Sequence, residues 1–140
     1  MLHIDQITYT TQNGTKIIVL TPTGRLDITT AWQFRVKLQE SLYTLSRHVV
    51  VNLGRVDFID SSGLTSLVAG MRDADKVNGS FRLCNLLPAA KVVLEITMMD
   101  SVLEIYENCN DCFNHPETRR TILSPRKGGD PFFPDTEASL

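Results

Sequence analysis

The sequence predicts an α/β domain in which a mixed β-sheet is covered by helices, and three observations lead there. Short strand-like runs alternate with helical apolar stripes from residue 4 to residue 106, the pattern of a sheet with helices packed on it. Two β-branched runs flank Asn13-Gly14 at the start, so the first strand pair is an antiparallel hairpin. At 140 residues and 42% hydrophobic content, the chain can bury a core without disulfide or metal staples.

Taken in order, Ile4 to Thr10 and Lys16 to Thr21 form the hairpin strands. Asn13-Gly14 serves as its two-residue turn, and Pro22 ends the second strand. Ala31, Phe34, Leu38, Leu42 and Leu45 make a helical stripe over residues 29–45. Val49 to Leu53 is a continuous apolar run suited to a buried strand. Asp60 or Ser61 can cap the next helix, with Leu64, Leu67, Val68, Met71 and Ala74 as its stripe. Asn78-Gly79 stops that helix, with Gly79 in the left-handed position. Ser80 to Asn85 reads as a strand. Pro88 opens a third helix that runs to Met98, with Ala89, Val92, Val93 and Ile96 on one face. Val102 to Tyr106 closes the sheet. The expected order is β-β-α-β-α-β-α-β.

The chain changes character near residue 107. Residues 107–140 hold four of the six prolines, the Arg119-Arg120 pair, Gly128-Gly129 and few aliphatics. The expected division is a folded domain over 1–106 and a flexible C-terminal tail over 107–140. Phe132 and Phe133 are an aromatic pair within that tail.

Fourteen basic against sixteen acidic residues give a net charge of -2, which argues against broad electrostatic binding to nucleic acid or anionic membrane. No apolar stretch approaches the roughly 20 residues of a membrane span. The first residues have neither a basic segment nor an apolar run, so no secretory signal is expected. Three cysteines, an odd number, then suggest reduced thiols and a cytoplasmic setting.

The most informative segment is Val56-Asp57-Phe58-Ile59-Asp60-Ser61-Ser62-Gly63-Leu64. It leads into a helix, placing Ser61 at or beside the helix N-terminus, where the dipole favours a negative group by about 0.3–1 kcal/mol. On the residues alone, the default reading is that Asp60 and the serines only cap the helix. A second motif, Gly24-Arg25-Leu26-Asp27, follows the second strand.

The two motifs in this order, with the helix, Gly79, the strand ending in Cys84-Asn85 and the Pro88 helix, resemble the STAS family, specifically the bacterial anti-sigma factor antagonists. The resemblance covers about residues 4 to 106. It implies that Ser61 is phosphorylated by a partner that is both anti-sigma factor and serine kinase. Asp60 matches the family's acid before the phosphoserine, Asp27 the nearby loop acid, and Gly63 the residue that keeps the helix start compact. Ser62 is the adjacent hydroxyl, and Ser62, Gly63 and Leu64 fall within the implied partner footprint. It further implies that the unphosphorylated form binds the anti-sigma kinase, that phosphorylation releases it, and that a PP2C-type phosphatase resets the cycle. The protein would be a kinase substrate in a partner-switching pathway and not an enzyme. Two rivals remain open: a STAS regulator whose kinase controls a non-sigma output, and a constitutive STAS adaptor of a transporter or scaffold without phosphorylation. Thr65-Ser66 departs from the small and aliphatic pair usual in the family.

Cys109, Cys112 and His115 form a C-x-x-C-x-x-H array, but no second ligand pair completes a zinc site. A redox pair would be expected at a helix start after an early strand. The expectation is therefore no metal and no cofactor, with Cys84 a small core residue. Trp32 is either an interface anchor or a partly buried aromatic. His48 is expected at a strand edge, and no His has a fixed relation to Ser61. Gly128-Gly129 is the sole Gly-Gly pair, so there is no phosphate loop.

Overall fold

The computed structural model describes residues 2–113. Its elements are β1 (His3–Thr10), β2 (Lys16–Leu26), α1 (Ala31–Thr44), β3 (His48–Asn52), β4 (Val56–Ile59), α2 (Ser61–Lys76), β5 (Ser80–Cys84), α3 (Pro88–Ile96), a 3-10 turn (Met99–Ser101), β6 (Glu104–Tyr106) and α4 (Cys109–Phe113). The six strands form one mixed sheet in the order β1-β2-β3-β5-β6, with β4 pairing to β2. Only β1–β2 is antiparallel; the other pairs are parallel.

The strand over Val56–Ile59 is absent from the expected order. It exists because β2 is long enough to serve two partners in turn. Ile18–Leu20 pairs with β3, and after a register shift at Gly24/Arg25 the strand's last residues pair with β4. Gly24 makes the irregularity possible, since its φ of 121° is closed to most side chains. Pro22 therefore does not end β2. It lies between the β3-paired and β4-paired stretches, where no parallel ladder demands its missing N–H.

Strand alternation divides the core. Ile18, Leu20, Val49, Val51, Phe81 and Leu83 point to the face covered by α1 and α2, where Phe34, Leu38 and Leu67 join them. Ile17, Val19, Val50 and Cys84 point to the opposite face, which carries α4 and the buried Cys112. The expected α1 stripe holds at Phe34, Leu38 and Leu42, while Leu45 is exposed. In α2 the buried face is made largely of small residues, Gly63, Ser66, Leu67, Gly70 and Ala74. A Cβ on Gly70 would sit 2.8 Å from both Leu38 and Phe81, so the small residues let α2 approach α1 and β5 closely.

Three local expectations are corrected. The hairpin turn is a five-residue loop over 11–15, closed by Thr11 N–H donating to the Thr15 carbonyl at 2.9 Å, and Gly14 alone takes positive φ there. At the end of α2, Asn78 takes the left-handed conformation, with φ 57°. Gly79 is required for space instead, because a Cβ there would strike the Arg47 carbonyl. The expected α3 face is reversed: Ala90 and Leu94 are buried, while Val92 and Ile96 are exposed. That nine-residue helix is apolar almost all round, so periodicity alone does not select a face.

The fold continues past residue 106. Cys84 and Cys109 form a disulfide that ties α4 to β5, which corrects the expectation of three reduced thiols. Cys84 and Cys109 lie 25 residues apart in sequence and are brought together by the parallel β5–β6 pairing. His115 and the Phe132-Phe133 pair lie outside the described residues. Among the described residues no group of three His, Cys, Asp or Glu side chains could hold a metal, and no helix is long and apolar enough to cross a membrane.

Candidate functional site at the ends of β2 and β4

β2 and β4 run parallel, with Leu26 opposite Ile59. Asp27 and Asp60 therefore leave the carboxyl ends of neighbouring strands side by side. From Asp60 the chain turns straight into α2, so its carboxylate faces the unpaired N–H groups of the first helical turn. Oδ1 accepts from Ser62 N–H at 2.8 Å and from Gly63 N–H at 3.0 Å. Oδ2 accepts from Ile28 N–H at 3.2 Å across the strand ends. One carboxylate thus caps α2 and anchors the loop after β2.

Asp60 being the cap, Ser61 is not. Ser61 is the first residue of α2, exposed, and its hydroxyl makes no hydrogen bond among the described residues. The Ser61 carbonyl accepts from Thr65 Oγ1 at 2.8 Å. Ser62 is half-buried, and Leu64 packs against the main core. Gly63 is buried where α2 meets β2: a Cβ there would lie on the Leu26 carbonyl oxygen and 2.9 Å from its carbon. A side chain at this position would lever the start of α2 away from β2.

Asp27 is organised differently. Its Oδ1 accepts from Thr29 Oγ1 at 2.6 Å and from Thr29 N–H at 2.9 Å, a local turn that Asp followed two residues on by Thr can signal. Arg25 Nε donates to Oδ2 at 3.3 Å, and its guanidinium lies 4.0 Å from the centre of the Phe58 ring. The Thr29 hydroxyl, assisted by its N–H and by Arg25, holds the Asp27 carboxyl below the usual carboxylate range despite partial desolvation. Thr30 ties the loop from below, its hydroxyl donating to the Arg25 carbonyl at 2.7 Å and accepting from Asp27 N–H at 3.0 Å.

Asp27, Asp60, Ser61, Ser62, Gly63 and Leu64 are thus brought to one end of the sheet. Arg25 belongs to the same end through its contact with Asp27. Arg55 precedes β4 at its opposite end and pairs with Asp5 at 3.4 Å. Sequence reasoning missed Thr29, Thr30 and Phe58, whose roles depend on the β2–β4 pairing. Ile28 and Trp32 on the loop and first turn of α1 are exposed, at 73% and 63%, so Trp32 is not a core aromatic. His48 is buried, with Nδ1 2.8 Å from Ser80 Oγ, linking β3 to β5 at the edge of the second sheet face.

The STAS domain family model matches residues 6–112. The chain belongs to the STAS domain family. Within that family it is 24% identical over 93 residues to the anti-sigma F factor antagonist of Paenibacillus polymyxa, covering 66% of this chain and 80% of the relative. An anti-sigma factor antagonist from Mycobacterium paratuberculosis shares the fold with a TM-score of 0.67 at 21% identity, over 81% of this chain and 94% of that one. The Bacillus cell fate determinant SpoIIAA matches at a TM-score of 0.60 and 20% identity in both its unphosphorylated and its phosphorylated form. The two matches cover 80% of this chain each, and 96% and 98% of the SpoIIAA chains. The STAS match extends to residue 112 and so includes Cys109 and most of α4.

Proposed function

We propose that this STAS domain is an anti-sigma factor antagonist of a partner-switching pathway, working in the cytoplasm and controlled by phosphorylation of Ser61. The unphosphorylated form binds an anti-sigma factor that is also a serine kinase; the phosphorylated form releases it; a PP2C-type phosphatase restores the serine. In this reading the chain is a substrate and a binding module, not an enzyme, and touches neither nucleic acid nor membrane. The binding unit is the domain expected over residues 1–106, onto which α4 is also fastened.

The observation that carries the reading is the division of labour between Asp60 and Ser61. Asp60 takes the cap, so the exposed Ser61 hydroxyl has no structural duty among the described residues. A kinase can modify it without dismantling the helix start. The N–H groups of Ser62 and Gly63 are already engaged by Asp60, so a phosphate on Ser61 would not sink into the helix terminus and would stay available to a partner.

Phosphorylation adds about -1.5 to -2 charge at pH 7. On Ser61 it joins Asp27 and Asp60, with Arg25 already paired to Asp27. A partner fitted to a neutral hydroxyl then meets like charges and an added desolvation cost, and a coupling of about 3 kcal/mol changes affinity roughly 150-fold. The exposed Ile28, Trp32 and Phe58 beside the site supply apolar contact area for that partner. The mechanism is therefore a change in surface charge without refolding. The matching of both SpoIIAA forms to this fold agrees with it.

The test is phosphosite mapping by mass spectrometry after incubation with ATP and host lysate, followed by capture of the bound partner. Phosphate on Ser61, lost in Ser61→Ala, with a serine kinase captured only by the unphosphorylated form, is the expected result. No phosphate in a lysate with active kinases would overturn the reading in favour of a constitutive adaptor.

A further inference from the structure

The sheet face opposite α1 and α2 gathers three sulfurs. Cys84 ends β5 and is fully buried, Cys109 opens α4 and is partly exposed, and Cys112 is fully buried beside Ile17, Val19 and Val50. Cys84 lies opposite Tyr106 in the β5–β6 ladder, and the chain then turns back to set the Cys109 Cα 5.4 Å from that of Cys84, within the span a disulfide requires.

We propose that the Cys84–Cys109 disulfide is a reversible thiol clasp that fastens α4 to this face, so that redox conditions decide whether the C-terminal end of the domain is docked. Three features support reversibility. The main core lies on the other face and contains none of the three cysteines, so opening the bond need not unfold the domain. α4 has five residues, too few to persist as an isolated helix, so its docking depends on the bond and on the packing of Cys112. Cys109 is the sulfur that solvent reaches, and Asn85 Nδ2 donates to it at 3.7 Å. In exchange a thiolate attacks a disulfide sulfur, so the solvent-reached Cys109 is the sulfur that an outside thiol meets first.

Closure needs a small disulfide, RSSR, as oxidant. Cys109 loses its proton and its thiolate attacks one sulfur of RSSR, forming a mixed disulfide and expelling RS⁻. The Cys84 thiolate then attacks the Cys109 sulfur, forming the protein disulfide and expelling the second RS⁻. The two RS⁻ take up the two cysteine protons. Two protein thiols are oxidised and RSSR is reduced to two RSH; reduction by excess RSH runs the steps backwards. The proposal is independent of Ser61 and of the partner-switching reading.

The test uses the full chain, equilibrated in glutathione buffers from cytosolic to secretory redox poise, then quenched by alkylation. Peptide mapping counts the Cys84–Cys109 crosslink, and hydrogen exchange is measured at both extremes. The crosslink should form at the oxidising end and open at the reducing end. Amides of residues 104–113 should exchange about tenfold faster or more when it opens, while those of α2 stay unchanged. Cys109→Ser should exchange like the open form in every buffer, and Cys112→Ser should retain the Cys84–Cys109 crosslink. A crosslink that persists throughout, one that maps to Cys109–Cys112, or equal exchange at both extremes would overturn the proposal.

Discussion

The two ends of the sheet handle charge in opposite ways. At the β2–β4 end, Asp27 and Asp60 are held by backbone N–H groups, a threonine hydroxyl and a partly exposed arginine. At the β5–β6 end, Arg82 and Glu104 form a 2.8 Å ion pair with both side chains 1% exposed. The open end keeps its charges within reach of water, so a further charge can be added there at modest cost to the fold. The sealed end has excluded water, and the two charges offset each other there. A surface meant to change its charge state belongs at the first kind of end, and the second kind fixes how β5 and β6 align.

The largest effect should come from breaking the sealed pair. Glu104→Ala leaves the Arg82 charge buried and should cost about 3–5 kcal/mol, read by urea unfolding. Replacing both partners with apolar residues of similar volume should recover most of that loss. A loss below about 1 kcal/mol for the single variant would remove the contrast between the two ends.

Next comes Gly63→Ala, which forces a methyl against the Leu26 carbonyl. It should cost about 1–3 kcal/mol and also shift NMR resonances at the start of α2, because no flexible side chain can yield there. Asp60→Ala should cost about 0.5–2 kcal/mol, towards the upper value since the cap and the Ile28 tie are lost together. Ser61→Ala should stay within about 0.5 kcal/mol of the parent. The Asp60 and Ser61 variants compared by thermal melting decide which residue is the cap, and a larger loss at Ser61 would reverse the assignment.

The smallest effect concerns pH. The Asp27 carboxyl is held below the ordinary range chiefly by the Thr29 hydroxyl. A depressed folded-state value means its stabilisation is fully present above the ordinary Asp range and is lost as pH falls through the lower, folded value. Asp27→Asn should flatten this part of the acid limb by losing a small contribution at neutral pH, and should match the parent once pH is below the folded value. A titration of Asp27 by carbon-detected NMR checks the direction, and an ordinary or raised midpoint would contradict it.

Much of this arrangement is legible in the sequence. Asp60, Ser61 and Gly63 announce a helix start, and Phe34, Leu38 and Leu42 announce the face of α1. Other features depend on contacts that no local pattern encodes. β4 is four residues long and pairs only because β2 overruns β3. The Cys84–Cys109 link follows from β5 and β6 being neighbours. The buried face of α2 consists largely of small residues, whereas a hydrophobic stripe points to Leu64, Val68 and Met71. The choice between Asp60 and Ser61 as cap turns on where a carboxylate can reach, which requires the parallel ends of β2 and β4 to be in place.

The length of β2 also has a practical use. Its eleven residues separate the 11–15 loop from the Asp27–Asp60 end by about 35 Å at the usual rise per residue. Asn13 is exposed at that far tip. A dye or surface tether placed there would leave the Ser61 end facing solution, so the proposed capture and release of a partner could be tested on immobilised protein without a label near Ser61.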